Sequence, residues 1–234
     1  MSDSSKLGKI DFLFENDEIL ILNKPFGLAV QGGKDIFHSL DSELPKMLGY
    51  KIFLVHRLDK DTSGLMIVAK SATAAAKWTH LIGTKAVCKE YTALCIGKPQ
   101  ILPKQKTCIR SKIISHGKEQ NAELFYTALL SKNVPVNFEN SSEEKTLPLC
   151  LLEIQLGTGR MHQIRIQLAQ NALPIAADDQ HGNFKLNKIA KKLGIKKLCL
   201  SSTKLKIPLN NSEKTFTIPL PPHIKAAVSI LQEV

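Results

Sequence analysis

The sequence lacks the features that mark a membrane-bound or secreted protein. It contains no run of about 18 apolar residues, the length that a bilayer requires, and its first 16 residues, MSDSSKLGKIDFLFEN, lack the apolar stretch of a signal peptide. The five cysteines are odd in number and show no CxxC spacing, which suits neither a disulfide framework nor a zinc site. These absences predict a protein of the reducing cytoplasm that has no membrane-spanning segment and no bound metal.

Acidic residues are few relative to basic ones. The chain has 32 Lys and Arg against 21 Asp and Glu, a formal net charge of +11. An excess of this size favours a polyanionic partner, with nucleic acid first and a membrane surface second. The 234 residues, 43% of them hydrophobic, can bury a substantial core, either as one large domain or as two small halves. Neither an internal repeat nor a strong linker divides the chain.

The pattern of apolar residues predicts more strands than helices. Most strands are joined by short turns, which indicates an α+β fold with a mixed, mostly antiparallel sheet. The predicted strands cover residues 11–14, 19–25, 51–55, 64–70, 87–97, 108–114, 122–130, 149–156, 202–209 and 214–220. The predicted helices cover 71–85, capped by Ser71, then 161–172 and 184–194, and residues 137–146 are predicted to form a surface loop.

The stretch VHRLDKDTSGLMIVAK, residues 55–70, concentrates polar chemistry between two apolar runs. Its loop carries His56, Arg57, Asp59, Lys60 and Asp61, more than an ordinary turn needs. The spacing of the two aspartates matches the first half of a calcium loop, but Lys stands where that loop needs a bidentate Glu, which argues against calcium. A charged turn held by its own hydrogen bonds remains the alternative to a catalytic loop.

The helix predicted over residues 161–172 places Arg165 within an apolar stripe. An arginine buried there needs a carboxylate partner, for which Asp59, Asp61 and Glu153 are candidates; the alternative is that its side chain reaches solvent. The stripe consists of Met161, Ile164, Leu168, Ala169 and Ala172, and Gln163, Gln167 and Gln170 lie opposite.

Four further residues have both a functional and an ordinary interpretation. Arg160 and the N-terminus of the helix after it can hold a phosphate, although an exposed turn cation is nearly as good an account. The sequence GTGRMH resembles a dinucleotide fingerprint only weakly, because His162 replaces the third glycine. Tyr91 lies on a predicted strand, where a tyrosine more often belongs to the core. His56 and His162 have no third ligand at metal spacing.

Three ordered motifs resemble those of the RluA-type pseudouridine synthases. They are HRLDKDTSG (56–64), KEYTAL (89–94) and GTGRMHQIRI (157–166). ILILNKPFGLAVQ resembles the family's N-terminal segment. LPIAADDQHG and the basic helix after it are most similar to members that modify large-subunit ribosomal RNA. The resemblance covers nearly the whole chain.

The resemblance implies a fold and a chemistry. The fold is a mixed, mostly antiparallel β-sheet in two halves with flanking helices and a basic catalytic cleft, here a single catalytic domain over residues 1–234 with no separate N-terminal RNA-binding domain. The chemistry is isomerisation of uridine to pseudouridine in RNA, without cofactor or metal. We expect a cytoplasmic monomer whose partner is RNA, ribosomal RNA first.

The resemblance also assigns roles to residues. Asp59 is the catalytic carboxylate, Tyr91 stacks on the target base, and Arg165 pairs with Asp59. Arg57 fills the gap left by the flipped base, and the other expected RNA contacts are His56, Arg160, His162 and Gln163.

The chain also departs from the family's pattern. Gln167 and Leu173 stand where the family often has His, and His181 stands where it often has Tyr, which bears on substrate choice more than on catalysis. Two other functions remain open: a glycosylase that releases the base, and a non-catalytic RNA-binding or ribosome assembly protein.

Overall fold

The chain forms two compact units. A computed structural model describes residues 10–33, 36–100, 105–115, 117–136, 145–210 and 212–232. The first unit comprises residues 1–89 and 202–219, and the second comprises residues 90–201 and 220–234.

Ten strands and five helices lie within the described residues. The strands are β1 (Asp11–Glu15), β2 (Ile19–Lys24), β3 (Phe53–Leu54), β4 (Ser63–Ala69), β5 (Cys88–Ile96), β6 (Lys106–Ser115), β7 (Lys118–Val136), β8 (Lys145–Leu156), β9 (Leu200–Leu209) and β10 (Ser212–Thr217). The helices are α1 (Leu40–Leu48), α2 (Ala72–Gly83), α3 (Gln163–Gln170), α4 (Phe184–Lys192) and α5 (Pro222–Gln232).

The first unit is built on strands in the order β1-β2-β4-β9, with β3 paired to β4 and β10 paired to β9. The pairs β1–β2, β2–β4, β3–β4 and β9–β10 are antiparallel. Every residue of β4 is buried, so the loop before it is attached to the most protected strand of this unit. Helix α2 covers the sheet through Ala74 and Trp78, which join Ile19, Ile21 and Ile67 in one apolar cluster.

The second unit is built on strands in the order β5-β8-β7-β6, and all three pairs are antiparallel. Strand β7 is 19 residues long and pairs with β6 along one edge and β8 along the other. Leu149, Leu152 and Ile154 of β8 are buried, whereas Glu153 between them is exposed, the alternation expected of a strand with one protected face. Helix α3 packs on β6, and α5 packs on β7.

The predicted fold class is confirmed: the sheets are mostly antiparallel with helices packed against them. All ten predicted strands are present, and so are the three predicted helices, with bounds shifted by a few residues. The N-cap prediction is also confirmed, since the Ser71 hydroxyl accepts a hydrogen bond from the Ala74 N–H at 3.1 Å. Residues 137–144 of the predicted loop lie outside the described residues, and Lys145 and Thr146 already belong to β8.

Two helices were absent from the prediction. Helix α1 contains Pro45, which reads as a helix breaker, yet Ser39 stands at its N-cap and Gly49 ends it in the left-handed conformation at φ 77°. Helix α5 begins at Pro222, which follows another proline. Proline is well suited to a first helical position, so this pair of prolines was a start signal rather than a loop signal.

Candidate active site

The polar loop of the first unit, residues 55–62, runs directly into the buried strand β4. Within it, the Thr62 N–H donates to the Asp59 carbonyl at 3.1 Å, which closes a tight turn around the charged residues. Gly64 follows at φ 115°, and a side chain there would meet the Ser202 carbonyl oxygen at 2.2 Å. Only glycine combines this backbone conformation with so close an approach to β9.

A buried lysine fixes the backbone of the same loop through a hydrogen bond to one of its carbonyls. Lys24, at the end of β2, is 0% exposed, and its ammonium donates to the carbonyls of Pro25 at 3.1 Å, Leu28 at 2.8 Å and Lys60 at 3.0 Å. The Lys60 carbonyl also accepts from the Gly27 N–H at 2.9 Å. Three carbonyls match the three donors of an ammonium group, so burial of the charge is compensated and the loop backbone is fixed.

His56 has an internal role in the loop. Its Nε2 accepts a hydrogen bond from the Ile67 N–H at 3.0 Å, and its Nδ1 is buried. Burial of the ring, with the positive charge of Lys89 as a smaller cause, lowers the pKa of His56 to about 3. The ring is therefore neutral at physiological pH and offers no positive charge to a phosphate.

The loop presents Asp59 and Arg57 at different depths. Leu58 between them is buried and anchors the turn, while Asp59 is half-buried and Arg57 is exposed. The Arg57 Nη1 donates to the Gln31 Oε1 at 3.3 Å, a contact on the surface. Asp61 is exposed, so of the two loop aspartates Asp59 has the more protected environment.

In the second unit, Tyr91 lies on β5 opposite Ile154 of β8 and is 4% exposed. Its neighbours Glu90 and Thr92 are also buried, so β5 is protected on both faces. The ordinary interpretation, a tyrosine of the core, describes its packing. Its predicted role in stacking on a base stays a prediction.

Arg165 has the buried carboxylate partner that its position predicted, but the partner is Asp178, which was not among the predicted candidates. Its Nε donates to the Asp178 Oδ2 at 2.9 Å and its Nη2 to the Asp178 Oδ1 at 2.7 Å, while Nη2 also reaches the Gln180 Oε1 at 3.2 Å. The two charged side chains are 8% and 1% exposed. Although burial alone would raise the pKa of Asp178, the hydrogen bonds from Arg165 and from the backbone N–H groups of His181 and Gln180 outweigh it and lower that pKa.

The loop around Asp178 is itself tightly held. The Asp178 Oδ1 accepts from the N–H groups of Gln180 at 3.1 Å and His181 at 3.0 Å, and the Asp178 carbonyl accepts from the Asn187 Nδ2 at 2.9 Å. Gly182 passes so close that a Cβ there would lie 2.3 Å from the Asp178 carbonyl oxygen. The arginine is thus positioned by a loop that has little freedom to move.

Gln163 supports the turn before α3 from inside the protein. It is 2% exposed, and its Oε1 accepts from the Thr158 hydroxyl at 2.7 Å and from the Arg160 N–H at 3.0 Å. Its Nε2 donates to the Glu123 carbonyl at 2.9 Å and to the Gln167 Oε1 at 3.0 Å. Every donor and acceptor of this amide is engaged within the protein. Gln163 thus holds the backbone of Arg160, whose exposed side chain donates from Nε to the Asn121 carbonyl at 3.5 Å.

His162 and His181 face each other beside the ion pair. The His162 Nδ1 and the His181 Nε2 are 2.9 Å apart, so one ring donates a hydrogen bond to the other. His162 adopts the left-handed conformation at φ 52°, which turns the chain into α3. Two imidazoles therefore lie in contact at the start of α3.

The predicted site residues group by unit. His56, Arg57 and Asp59 share the loop of the first unit, and Tyr91, Arg160, His162, Gln163 and Arg165 belong to the second. The predicted pairing of Arg165 with Asp59 joins residues of different units and stays a prediction. Across the described residues, no group of three or more metal-ligating side chains is found, and no helix is long and apolar enough to cross a membrane.

Sequence reasoning missed Lys24 and Asp178. Lys24 stands before Pro25 at a strand end and looks like an exposed terminator. Strand alternation, however, places it on the same face as Leu22 of the apolar run 19–22, which was a signal that it enters the core. Asp178 lies 13 residues after Arg165, across a turn. The flanking stretch IAADDQHG, in which an aspartate follows three apolar residues, was the available signal.

Comparison with known proteins gives one family and a consistent set of relatives. Residues 18–170 match the family described as RNA pseudouridylate synthase. The ribosomal large subunit pseudouridine synthase C of Rickettsia felis is 37% identical over 81% of this chain, and that of Haemophilus influenzae is 32% identical over 94%. The chain spans 62% of the length of the first protein and 68% of the second.

Two solved human structures share the fold. Human RNA Pseudouridylate Synthase Domain Containing 4 aligns with a TM-score of 0.70 at 22% identity, covering 98% of this chain and 95% of that one. Human RNA Pseudouridylate Synthase Domain Containing 1 aligns with a TM-score of 0.71 at 19% identity, covering 94% and 87%.

Proposed function

This chain belongs to the RNA pseudouridylate synthase family, and we propose that it isomerises uridine to pseudouridine in RNA. The observation that carries the proposal is the match over residues 18–170, which contains Asp59, Tyr91 and Arg165. The reaction breaks the bond between C1′ and N1 and forms one between C1′ and C5. N1 gains a proton and C5 loses one, so no electrons leave the substrate and no redox cofactor is required.

Asp59 is the catalytic carboxylate in this proposal. Breaking the glycosidic bond builds positive character at C1′, which a carboxylate can stabilise, attack, or relieve by removing a sugar proton. The fixed turn around Asp59 and the buried Lys24 beneath it support this assignment, because a positioned charge needs no reorganisation during the reaction.

Arg57 acts on the RNA rather than on the bonds that change. The target base must leave its stack, which costs a few kcal/mol. Arg57 is exposed two residues before Asp59 on the same loop, so a planar guanidinium is available to occupy the vacated space and stack on the neighbouring bases. Arg160, held by Gln163, contributes a phosphate contact.

Tyr91 and Arg165 complete the proposed machinery. The detached uracil must rotate so that C5 meets C1′, and an aromatic platform tolerates rotation in the plane of stacking. Arg165 keeps Asp59 ionised, and its bidentate bond to Asp178 fixes where the guanidinium lies. His56 and Gln163 act through the backbone they hold, and His162 contacts RNA from the start of α3.

Large-subunit ribosomal RNA is the proposed substrate. The relatives from Rickettsia felis and Haemophilus influenzae are both ribosomal large subunit pseudouridine synthases C. The net charge of +11 supports a polyanionic partner. We propose that the chain works in the cytoplasm as a monomer, as one catalytic domain over residues 1–234.

The test is a reaction with defined RNA. The purified chain is incubated with transcribed large-subunit ribosomal RNA, which is then digested to nucleosides and analysed by mass spectrometry for pseudouridine and free uracil. The expected result is pseudouridine without free uracil. Free uracil would identify a glycosylase, and RNA binding with neither product would identify a non-catalytic RNA-binding protein.

A further inference from the structure

Helix α4 carries a basic stripe that the proposed reaction does not use. At 100° per residue, Phe184, Lys185, Lys188, Lys191 and Lys192 fall within one third of the helix circumference, and all five are exposed. The opposite side carries Leu186, Ile189, Ala190 and Leu193, which are buried or half-buried. The helix therefore packs through its apolar side and turns an unbroken row of lysines outward.

Phe184 interrupts this charge at one end of the stripe. It is 73% exposed, and the Lys188 ammonium lies 4.6 Å from the centre of its ring. A cation over a ring face restrains the ring. An exposed aromatic ring beside several cations is the combination that binds single-stranded nucleic acid, in which the ring stacks on a base and the cations contact phosphates.

The stripe is rigidly connected to the proposed site. On another side of α4, the Asn187 Oδ1 accepts from the Ala177 N–H at 3.0 Å, and its Nδ2 donates to the Asp178 carbonyl at 2.9 Å. Asp178 in turn holds Arg165. Asn183 caps the helix by accepting the Leu186 N–H at 3.1 Å, so the first turn that carries Phe184 is fixed as well.

We propose that the stripe on α4 is a second RNA-docking surface, which binds RNA flanking the modified uridine by phosphate contacts to the lysines and by base stacking on Phe184. This inference rests on the proposed function for its substrate. The positive charge of the stripe favours a polyanionic partner. Because the apolar side of α4 faces the protein, that partner is RNA and not a membrane. A helix that lies on a bilayer inserts its apolar side into the lipid, whereas that side of α4 is turned into the protein and leaves Phe184 alone outside.

The test is the triple variant Lys185→Gln, Lys188→Gln and Lys191→Gln. Glutamine has a helix propensity close to that of lysine, so α4 is preserved. Binding of a labelled stem-loop RNA is measured by fluorescence anisotropy over a range of salt concentrations. Loss of three phosphate contacts is expected to weaken binding roughly tenfold or more at moderate salt and to reduce the slope of log K against log salt by about 2 to 3.

The matched control removes the same charge elsewhere. Lys51→Gln, Lys85→Gln and Lys98→Gln also lower the net charge by three, and these lysines are exposed outside α4. The control is expected to change the slope by less than about one. Equal losses in both triple variants would show a general effect of net charge and overturn the docking surface.

Phe184→Ala separates stacking from charge. Loss of a stacking platform is expected to weaken binding by about fivefold or more with an unchanged salt slope, and Phe184→Trp should restore it. In single turnover with saturating enzyme, the chemical rate of all these variants should stay near that of the wild type. If the wild-type protein binds RNA through the stripe but makes no pseudouridine, the proposed function is refuted and the docking surface is not.

Vesicles of phosphatidylcholine and phosphatidylserine test the membrane alternative. The expected result is no binding of the wild type beyond that of the control variant. Vesicle binding that the α4 triple variant loses, together with unchanged RNA binding, would assign the stripe to a membrane and refute the RNA proposal.

Discussion

Arg165 and Asp178 form a buried bidentate ion pair in the second unit. The bonds measure 2.9 Å from Nε to Oδ2 and 2.7 Å from Nη2 to Oδ1, and both side chains are almost fully buried. Fork-to-fork pairing fixes the plane of a guanidinium as well as its position. Asp178 is therefore a positioning residue for the arginine that we propose acts with Asp59.

Arg165→Ala and Asp178→Ala should each destabilise the protein by about 3–5 kcal/mol, because each leaves the other charge buried and unpaired. The double variant should cost less than the sum of the two. Urea unfolding of the four proteins measures this coupling. Arg110→Ala is the control: its pair with Glu123 has a comparable distance, 2.7 Å, but Arg110 is 74% exposed, so its loss should destabilise the protein far less than either buried variant. Strictly additive losses would contradict the pair.

Lys24→Met should destabilise the first unit by about 3 kcal/mol or more, because methionine fills much of the same space but leaves the carbonyls of Pro25 and Leu28 without this donor. The loop that carries Asp59 should loosen, which hydrogen exchange of residues 55–62 would report. Lys77→Met is the control, since Lys77 makes an exposed ion pair with Glu18 and should cost less than about 1 kcal/mol. Similar costs for the two variants would show that Lys24 has no special structural role.

His56 predicts a pH dependence of stability. Its folded pKa of about 3 lies below the ordinary value of 6.5, so between these values the unfolded state binds a proton that the folded state does not. Stability should be fully present above pH 6.5 and fall as the pH drops towards 3, by up to about 5 kcal/mol from this group. Asp178, whose pKa is lowered, adds a loss only at the acid end of this range.

The variant His56→Gln tests the origin of that slope. Glutamine can still accept the Ile67 N–H but cannot titrate, so the free energy of unfolding should vary less between pH 7 and pH 5 than in the wild type. His80→Gln, at an exposed position of α2, should leave the slope unchanged. A slope that survives in His56→Gln would mean that other groups control acid unfolding.

Arg57→Ala should impair turnover of a structured RNA much more than turnover of a short single strand. If the Arg57 side chain acts as a wedge that fills the space left by the flipped base, it offsets the cost of unstacking, which is a few kcal/mol in a folded stem and less in an unstructured strand. A phosphate contact would instead weaken both substrates alike and reduce the salt slope by about one. Rates on the two substrates under single-turnover conditions distinguish these roles, and equal losses would exclude the wedge.

The sequence predicted the strands and helices that carry the site better than the buried polar contacts that hold its residues in place. Strand β4 after the loop was predictable because it contains four consecutive apolar residues, all of which are buried: Leu65, Met66, Ile67 and Val68. Arg165 in an apolar stripe correctly indicated a buried carboxylate partner. The stripe itself was incomplete, since Gln163 and Gln167, expected on the opposite side, are buried too.

The remaining features depend on tertiary contacts that no local pattern encodes. Asp178 looks like any loop aspartate until the fold brings Arg165 against it. Lys24 is fully buried because carbonyls from two separate segments converge on its ammonium. Glutamine is usually an exposed residue type. One partner of the Gln163 amide, the Glu123 carbonyl of β7, lies 40 positions away in the sequence.

Asp59 is the catalytic carboxylate of the proposed reaction, and its role is tested directly by tritium release from RNA labelled at C5 of uridine, because C5 loses its hydrogen when pseudouridine forms. Asp59→Asn should abolish release while RNA affinity persists, because affinity comes mainly from phosphate contacts. Asp61→Asn, which removes the same charge two residues away at an exposed position, should retain release. Near-normal release by Asp59→Asn would contradict the account, and loss of release by Asp59→Asn alone is the result that it predicts.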